Sequence, residues 1–156
     1  AVAGTPLSAN TELFAKWKVA GVEKYEMTIK DYATSNSWVN GTKYTSIDTG
    51  NSNLSIEVTK TGSYSGKYYT SGNEWRFYQT EKGELTISNS NGNIVSVTIT
   101  YNISNSGVLL YNGTKYASGT KIDINSSSAA FTVGNSGTAT NGQVKITKIT
   151  IEYSNN

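Results

Sequence analysis

The chain has 156 residues, with 13 Lys and Arg against 11 Asp and Glu, for a net charge of +2 at pH 7. That length suits one domain of ordinary size, and charged residues make up only 15% of it, below the roughly 25% of average domains. His and Cys are absent and Arg76 is the only arginine, which excludes imidazole chemistry, His- or Cys-built metal centres, thiol nucleophiles and disulfides, and most enzyme classes with them.

Asn, Ser, Thr, Gly and Tyr carry the polar balance. Thr and Tyr suit pleated, half-buried surfaces, and Asn and Gly supply the positive φ angles of tight turns. In chain order, Pro6 to Val19 reads as a turn leading into a strand, with Leu13, Ala15 and Trp17 alternating with Phe14, Lys16 and Lys18. Residues 6–18, ending in Ala15-Lys16-Trp17, resemble the closing strand of a Listeria-Bacteroides repeat, the internalin B-type repeat, a small β-grasp-like unit. The resemblance implies that residues 1–19 are the tail strand of a preceding module in a longer surface protein; a native first strand is the alternative. Residues 20–24 then form a junction and residues 25–156 the main module.

From Tyr25 on, strand patterns recur at short intervals with turn chemistry between them, the spacing of a β-sandwich. Tyr25, Met27 and Ile29 share a face, a turn or so of helix is expected near Asp31 to Ser37, and Leu54 to Val58 alternates cleanly. Glu74 to Tyr78, Glu84 to Ile87 and Ile94 to Tyr101 follow, the last with Val95, Val97, Ile99 and Tyr101 on one side. Val108 to Tyr111, Lys121 to Ile124, Ala129 to Val133 and a long closing strand, Val144 to Tyr153, complete the series. In the closing strand the apolar phase slips between Ile146 and Ile149, as a β-bulge requires. The pentapeptide Asn-Gly-Thr-Lys-Tyr occurs at Asn40 to Tyr44 and again at Asn112 to Tyr116, and Asn-Gly favours a type I′ hairpin turn, so two hairpins are expected. The expected fold is an all-β antiparallel sandwich, jelly-roll or immunoglobulin-like.

Gly66 to Tyr78, Leu85 to Ser88, Ile94 to Ile99, Phe131 to Val133 and Gly142 to Tyr153 together make residues 25–153 similar to a carbohydrate-binding-module-like all-β module of large secreted proteins of gut bacteria. The resemblance implies a β-sandwich in a secreted or cell-surface setting, beside other domains of the same longer chain. No apolar run reaches the roughly 18 residues of a membrane span, so membrane insertion is not expected.

Catalysis would need two carboxylates facing across a cleft. Glu74, Glu81 and Glu84 are the candidates, but they crowd one hairpin-like stretch and read as solvated edge residues. Ser118-Gly119-Thr120-Lys121 fits a loose Ser-x-x-Lys pattern without the helical turn that chemistry needs. No cofactor is expected; a structural Ca2+ held by Asp31, Asp48 or Asp123 with backbone carbonyls is the one candidate, although no Asp-x-Asp-x-Asp run exists. Nucleic acid is not an expected partner, because Lys60, Lys67, Lys145 and Lys148 are spread among acids.

The densest chemistry is aromatic. Tyr64, Tyr68, Tyr69, Trp75, Phe77 and Tyr78 fall close together around Lys67, Glu74 and Arg76. On a strand, Trp75 and Phe77 point to one side and Arg76 and Tyr78 to the other; the first pair is expected in the core, and the opposite phase is open. Trp38, just before a predicted turn, is the candidate exposed ring. The expected function is non-catalytic binding of a polysaccharide, with an α-glucan such as starch the first candidate. Trp38, Trp75, Tyr68, Tyr69 and Tyr78 would stack on sugar rings, and Arg76, Glu74 and Asn73 would hydrogen-bond hydroxyls; a site so poor in charge suits a neutral ligand. The rival expectation is a structural spacer or protein-binding adhesin module whose aromatics are core.

Overall fold

The computed structural model describes residues 21–156, so the strand expected over residues 6–18 lies outside the described residues. The elements are β1 (Val22–Thr28), α1 (Ile29–Ser35), β2 (Ser46–Ile47), β3 (Leu54–Lys60), β4 (Lys67–Tyr69), β5 (Glu74–Tyr78), β6 (Glu84–Asn89), β7 (Gly92–Ser104), β8 (Gly107–Tyr111), β9 (Thr114–Tyr116), β10 (Lys121–Ser126), β11 (Ser128–Asn135) and β12 (Gln143–Asn155). They form two antiparallel sheets packed face to face, an all-β sandwich. The first sheet runs β10-β7-β12-β5-β4 and the second β2-β3-β6-β11-β8-β9. β12 is the spine of the first sheet. One of its edges pairs with β7 along its length; the other is shared by β5, opposite Gln143 to Ile146, and β1, opposite Lys148 to Ser154.

Alternation explains the packing. Val144, Ile146, Ile149 and Ile151 of β12 are buried against Ile56, Leu85, Ile87 and Phe131 of the other sheet within one apolar core. The slip between Ile146 and Ile149 is a bulge at Thr147, where the pairing with β7 shifts by a residue. A second bulge falls where the sequence pattern did not place it. The register skips Val95 between the Ser96 and Ile94 pairings, so Ile94, not Val95, joins Val97, Ile99 and Tyr101 in the core.

β1 begins at Val22, inside the stretch read as a junction, and ends at Thr28, so Ile29 is helical rather than the last residue of a strand. The reason is local. The Thr28 hydroxyl accepts from the Asp31 N–H at 3.2 Å and donates to the Asp31 carboxylate at 2.8 Å, a reciprocal N-cap. Ile29 and Ala33, four residues apart, then bury together.

The repeated pentapeptide adopts two conformations. Asn112 and Gly113 both have positive φ (48° and 76°), and the turn joins β8 to β9 as a two-residue hairpin. At Asn40-Gly41 only the glycine has positive φ (76°), and the Thr42 N–H donates to the Val39 carbonyl, the pattern of a type II turn. No hairpin forms there; residues 41–44 instead lie along β4, with Gly41 N–H bonded to the Tyr68 carbonyl and Tyr44 N–H to that of Gly66. Space around Gly113 is open, so Gly113→Ala meets only backbone strain. It is expected to cost about 1 kcal/mol in urea unfolding, with an unchanged m-value.

Candidate functional site

The outer face of the first sheet, where β4, β5, β12 and β7 lie side by side, carries the densest polar and aromatic chemistry of the described residues. Directly paired residues of an antiparallel sheet share a face. Tyr68, Trp75, Ile146 and Tyr101 are buried beneath the sheet, so the alternate set, Lys67 opposite Arg76, Arg76 opposite Lys145, and Lys145 opposite Asn102, stands outward in one row across four strands. Tyr69 and Glu74 pair in the next row, and Tyr78 and Gln143 in the row on the other side.

Arg76 organises this surface. Its Nε donates to the Glu74 carboxylate at 3.0 Å, and its guanidinium lies over the Tyr69 ring at 4.0 Å from the centroid. The other oxygen of Glu74 accepts from the Asn102 amide at 3.3 Å. Tyr64, 53% exposed, leans on Tyr78 with ring centroids 5.8 Å apart, and the Lys67 ammonium sits 4.9 Å over the Tyr64 ring. Burial pushes the Tyr78 phenol above its ordinary pKa, outweighing the pull of the neighbouring guanidinium, so it remains a neutral hydrogen-bonding group at physiological pH.

Glu81 holds the Tyr64 end of this platform in place. Its two carboxylate oxygens accept the backbone N–H groups of Tyr64 (2.8 Å) and Ser65 (2.6 Å), and the buried Ser65 hydroxyl accepts the Tyr78 N–H at 3.0 Å. Burial opposes ionisation of Glu81, but these hydrogen bonds outweigh it and hold its carboxyl below the ordinary carboxylate range. A lowered folded pKa means stability that is present above the unfolded value and lost as pH falls through the folded one. Glu81→Gln, which cannot accept at both positions, is therefore expected to lower Tm by about 3 °C at neutral pH. In melts taken across the acid range its Tm should approach that of the parent protein only as pH falls through the lowered folded-state pKa of Glu81.

The chain matches no family model, no curated protein and no solved structure.

The outer face takes in only part of the expected binding set. Arg76, Tyr78, Tyr69 and Glu74 stand together on it, the last with its carboxylate turned to Arg76. Trp75 does not: it is fully buried, edge-on to Phe77 at 5.1 Å, and its indole N–H donates to the carbonyls of Gly66 (2.8 Å) and Tyr44 (3.1 Å), so no face of the ring is open to a sugar. Tyr68 is likewise core, its hydroxyl donating to the Asn73 side chain at 3.3 Å, which places Asn73 at the β4–β5 turn rather than among the outward row. Trp38 is half-buried, with one ring face stacked on Tyr44 at 4.2 Å and an edge against Tyr32. Trp38 and Tyr44 cover the end of the core as a structural pair. Lys67, Lys145, Asn102 and Tyr64 were not singled out as site residues in the sequence, because only strand register brings residues so far apart in the chain into one row.

The three carboxylates weighed for catalysis are engaged separately: Glu74 with Arg76, Glu81 with the 63–65 backbone, and Glu84 with Lys60 at 2.8 Å on the second sheet. Of the Ca2+ candidates, Asp31 accepts the hydroxyl of the N-cap Thr28, Asp48 accepts the Gly50 N–H at 2.8 Å, and Asp123 stands on β10 opposite Ser96. Among the described residues no three acidic groups converge. A groove of about 800 Å³ on the rim, lined by Lys60, Gln79, Lys82 and Thr132, is separate from the outward row.

Proposed function

We propose that this chain is a non-catalytic carbohydrate-binding module of a secreted or cell-surface bacterial protein, and that it binds polysaccharide on the outer face of the first sheet. The observation that carries this reading is the combination on one open sheet face of tyrosine rings (Tyr64, Tyr78) with the polar groups of Arg76 and Asn102, both held in place by the buried Glu74 carboxylate. Flat apolar ring faces pack on the C–H faces of sugars, while oriented polar groups select hydroxyls. A shallow open surface of this kind gives dissociation constants of about the micromolar to millimolar range.

A second reading, a spacer or protein-binding adhesin module, has its own support: Trp75, Tyr68 and Phe77 are spent in the core, so much of the aromatic content is structural. Affinity electrophoresis through gels holding a panel of polysaccharides, α-glucans included, separates the two. Retardation by at least one glycan supports the binding module, and unchanged migration in every gel favours the spacer.

A further inference from the structure

Resting on that reading, we infer that the ligand is an acidic polysaccharide, one carrying carboxylates or sulfates along its chain, and that Lys67, Arg76 and Lys145 are the groups that read its charge. The sequence, with cations and acids scattered and nearly balanced, points to a neutral ligand. The fold undoes that balance locally. Register places the three cations side by side on adjacent strands, Lys67 opposite Arg76 and Arg76 opposite Lys145. They span two strand spacings, about 10 Å. Like charges directly opposite one another cost stability in a sheet, and only one carboxylate, Glu74, stands among them.

The rest of the same face is built differently. Toward the far end of β12, Lys148 and Lys24 both pair with Glu26 (3.1 and 2.9 Å), and Lys121 pairs with Glu152 (2.8 Å). The two outer cations of the row, the half-buried Lys67 and Lys145, have no carboxylate within ion-pair distance among the described residues. The one partner found near Lys67 is the Tyr64 ring. Arg76 donates a single one of its five N–H groups to Glu74, which fixes the fork in the middle of the row. A row in which two of the three cations have no ion-pair partner, interleaved with tyrosine rings, matches a chain that alternates sugar faces with anionic substituents. Lys43, bridged to Lys67 with its ammonium on the Gly62 carbonyl, adds a fourth cation at the edge of the row; four are still few for a phosphate backbone, where binding grows with the number of phosphates neutralised.

The test is affinity electrophoresis of the protein in gels containing polygalacturonate, dextran sulfate or amylose, at low salt and at about 1 M salt, where the screening length is roughly 3 Å. A parallel arm measures binding to single-stranded DNA. The expected result is retardation by one or both acidic polymers, reduced at least about tenfold by high salt and by the double variant Lys67→Gln/Lys145→Gln. Which polymer acts identifies carboxylate or sulfate. Lys115→Gln, on the second sheet, should leave the retardation, taken relative to a gel without polymer, unchanged. A Tm for the double variant within about 2 °C of the parent excludes loss through unfolding. Equal, salt-insensitive retardation by amylose would overturn the acidic ligand and leave the carbohydrate reading intact. No retardation by any polymer would overturn both, and DNA binding as strong as that of the acidic glycans would overturn the glycan assignment in favour of nucleic acid.

Discussion

Trp75→Ala is expected to lower the free energy of unfolding by about 3–5 kcal/mol, the range for emptying a large aromatic site in a packed core. Trp75 is fully buried and touches Phe77 edge-on and Trp38 at 5.9 Å. Truncation leaves a cavity between the sheets and strips the carbonyls of Gly66 and Tyr44 of the indole N–H they share. Those carbonyls belong to the segment that lies along β4, so the loss reaches the edge of the first sheet. Urea unfolding followed by far-UV circular dichroism measures it. A cost below about 1 kcal/mol would mean that the ring is not packed as described and would return Trp75 to the list of ligand-stacking residues.

The second large effect is on binding. Tyr64→Ala/Tyr78→Ala is expected to weaken polysaccharide affinity about tenfold to a hundredfold, taking each ring contact as worth roughly 0.5–1.5 kcal/mol. Tyr64 is more than half exposed and Tyr78 lies on the outward side of β5, so Tm should fall much less than for Trp75→Ala. Affinity electrophoresis and thermal melts of the same preparations separate the two effects. Affinity unchanged with both rings removed would exclude stacking on this face.

Much of the fold was legible because strands with one buried face write it as alternation. β5 was delimited at Glu74–Tyr78, and the bulge in β12 showed as a phase slip between Ile146 and Ile149. Where a feature depends on pairing, the pattern misled. The bulge at Val95 substitutes one apolar residue for its neighbour, and nothing in Ile94-Val95 says which turns inward. The first Asn-Gly carries the same five residues as the second, but becomes a type II turn because its flanks lie along β4 instead of pairing with each other. The same limit governed the site. Position on one strand separated Trp75 and Phe77 from Arg76 and Tyr78 and left the opposite phase open; burial of the first pair decides it. The row of Lys67, Arg76, Lys145 and Asn102 needed the register of four strands, and the role of Glu81 needed a backbone loop no motif describes.

Both described tryptophans, Trp38 and Trp75, pack in or against the core rather than on the outward row, so indole fluorescence is a poor reporter of this surface. Backbone amide chemical shifts read it directly. In a titration of 15N-labelled protein with oligogalacturonate, the account predicts saturable shifts concentrated at Lys67, Arg76, Tyr78, Asn102 and Lys145, with β3, β6 and β11 unmoved. Shifts centred on the rim groove of Lys60, Lys82 and Thr132, or no shifts with this or any other oligosaccharide, would contradict a glycan-binding face on the first sheet.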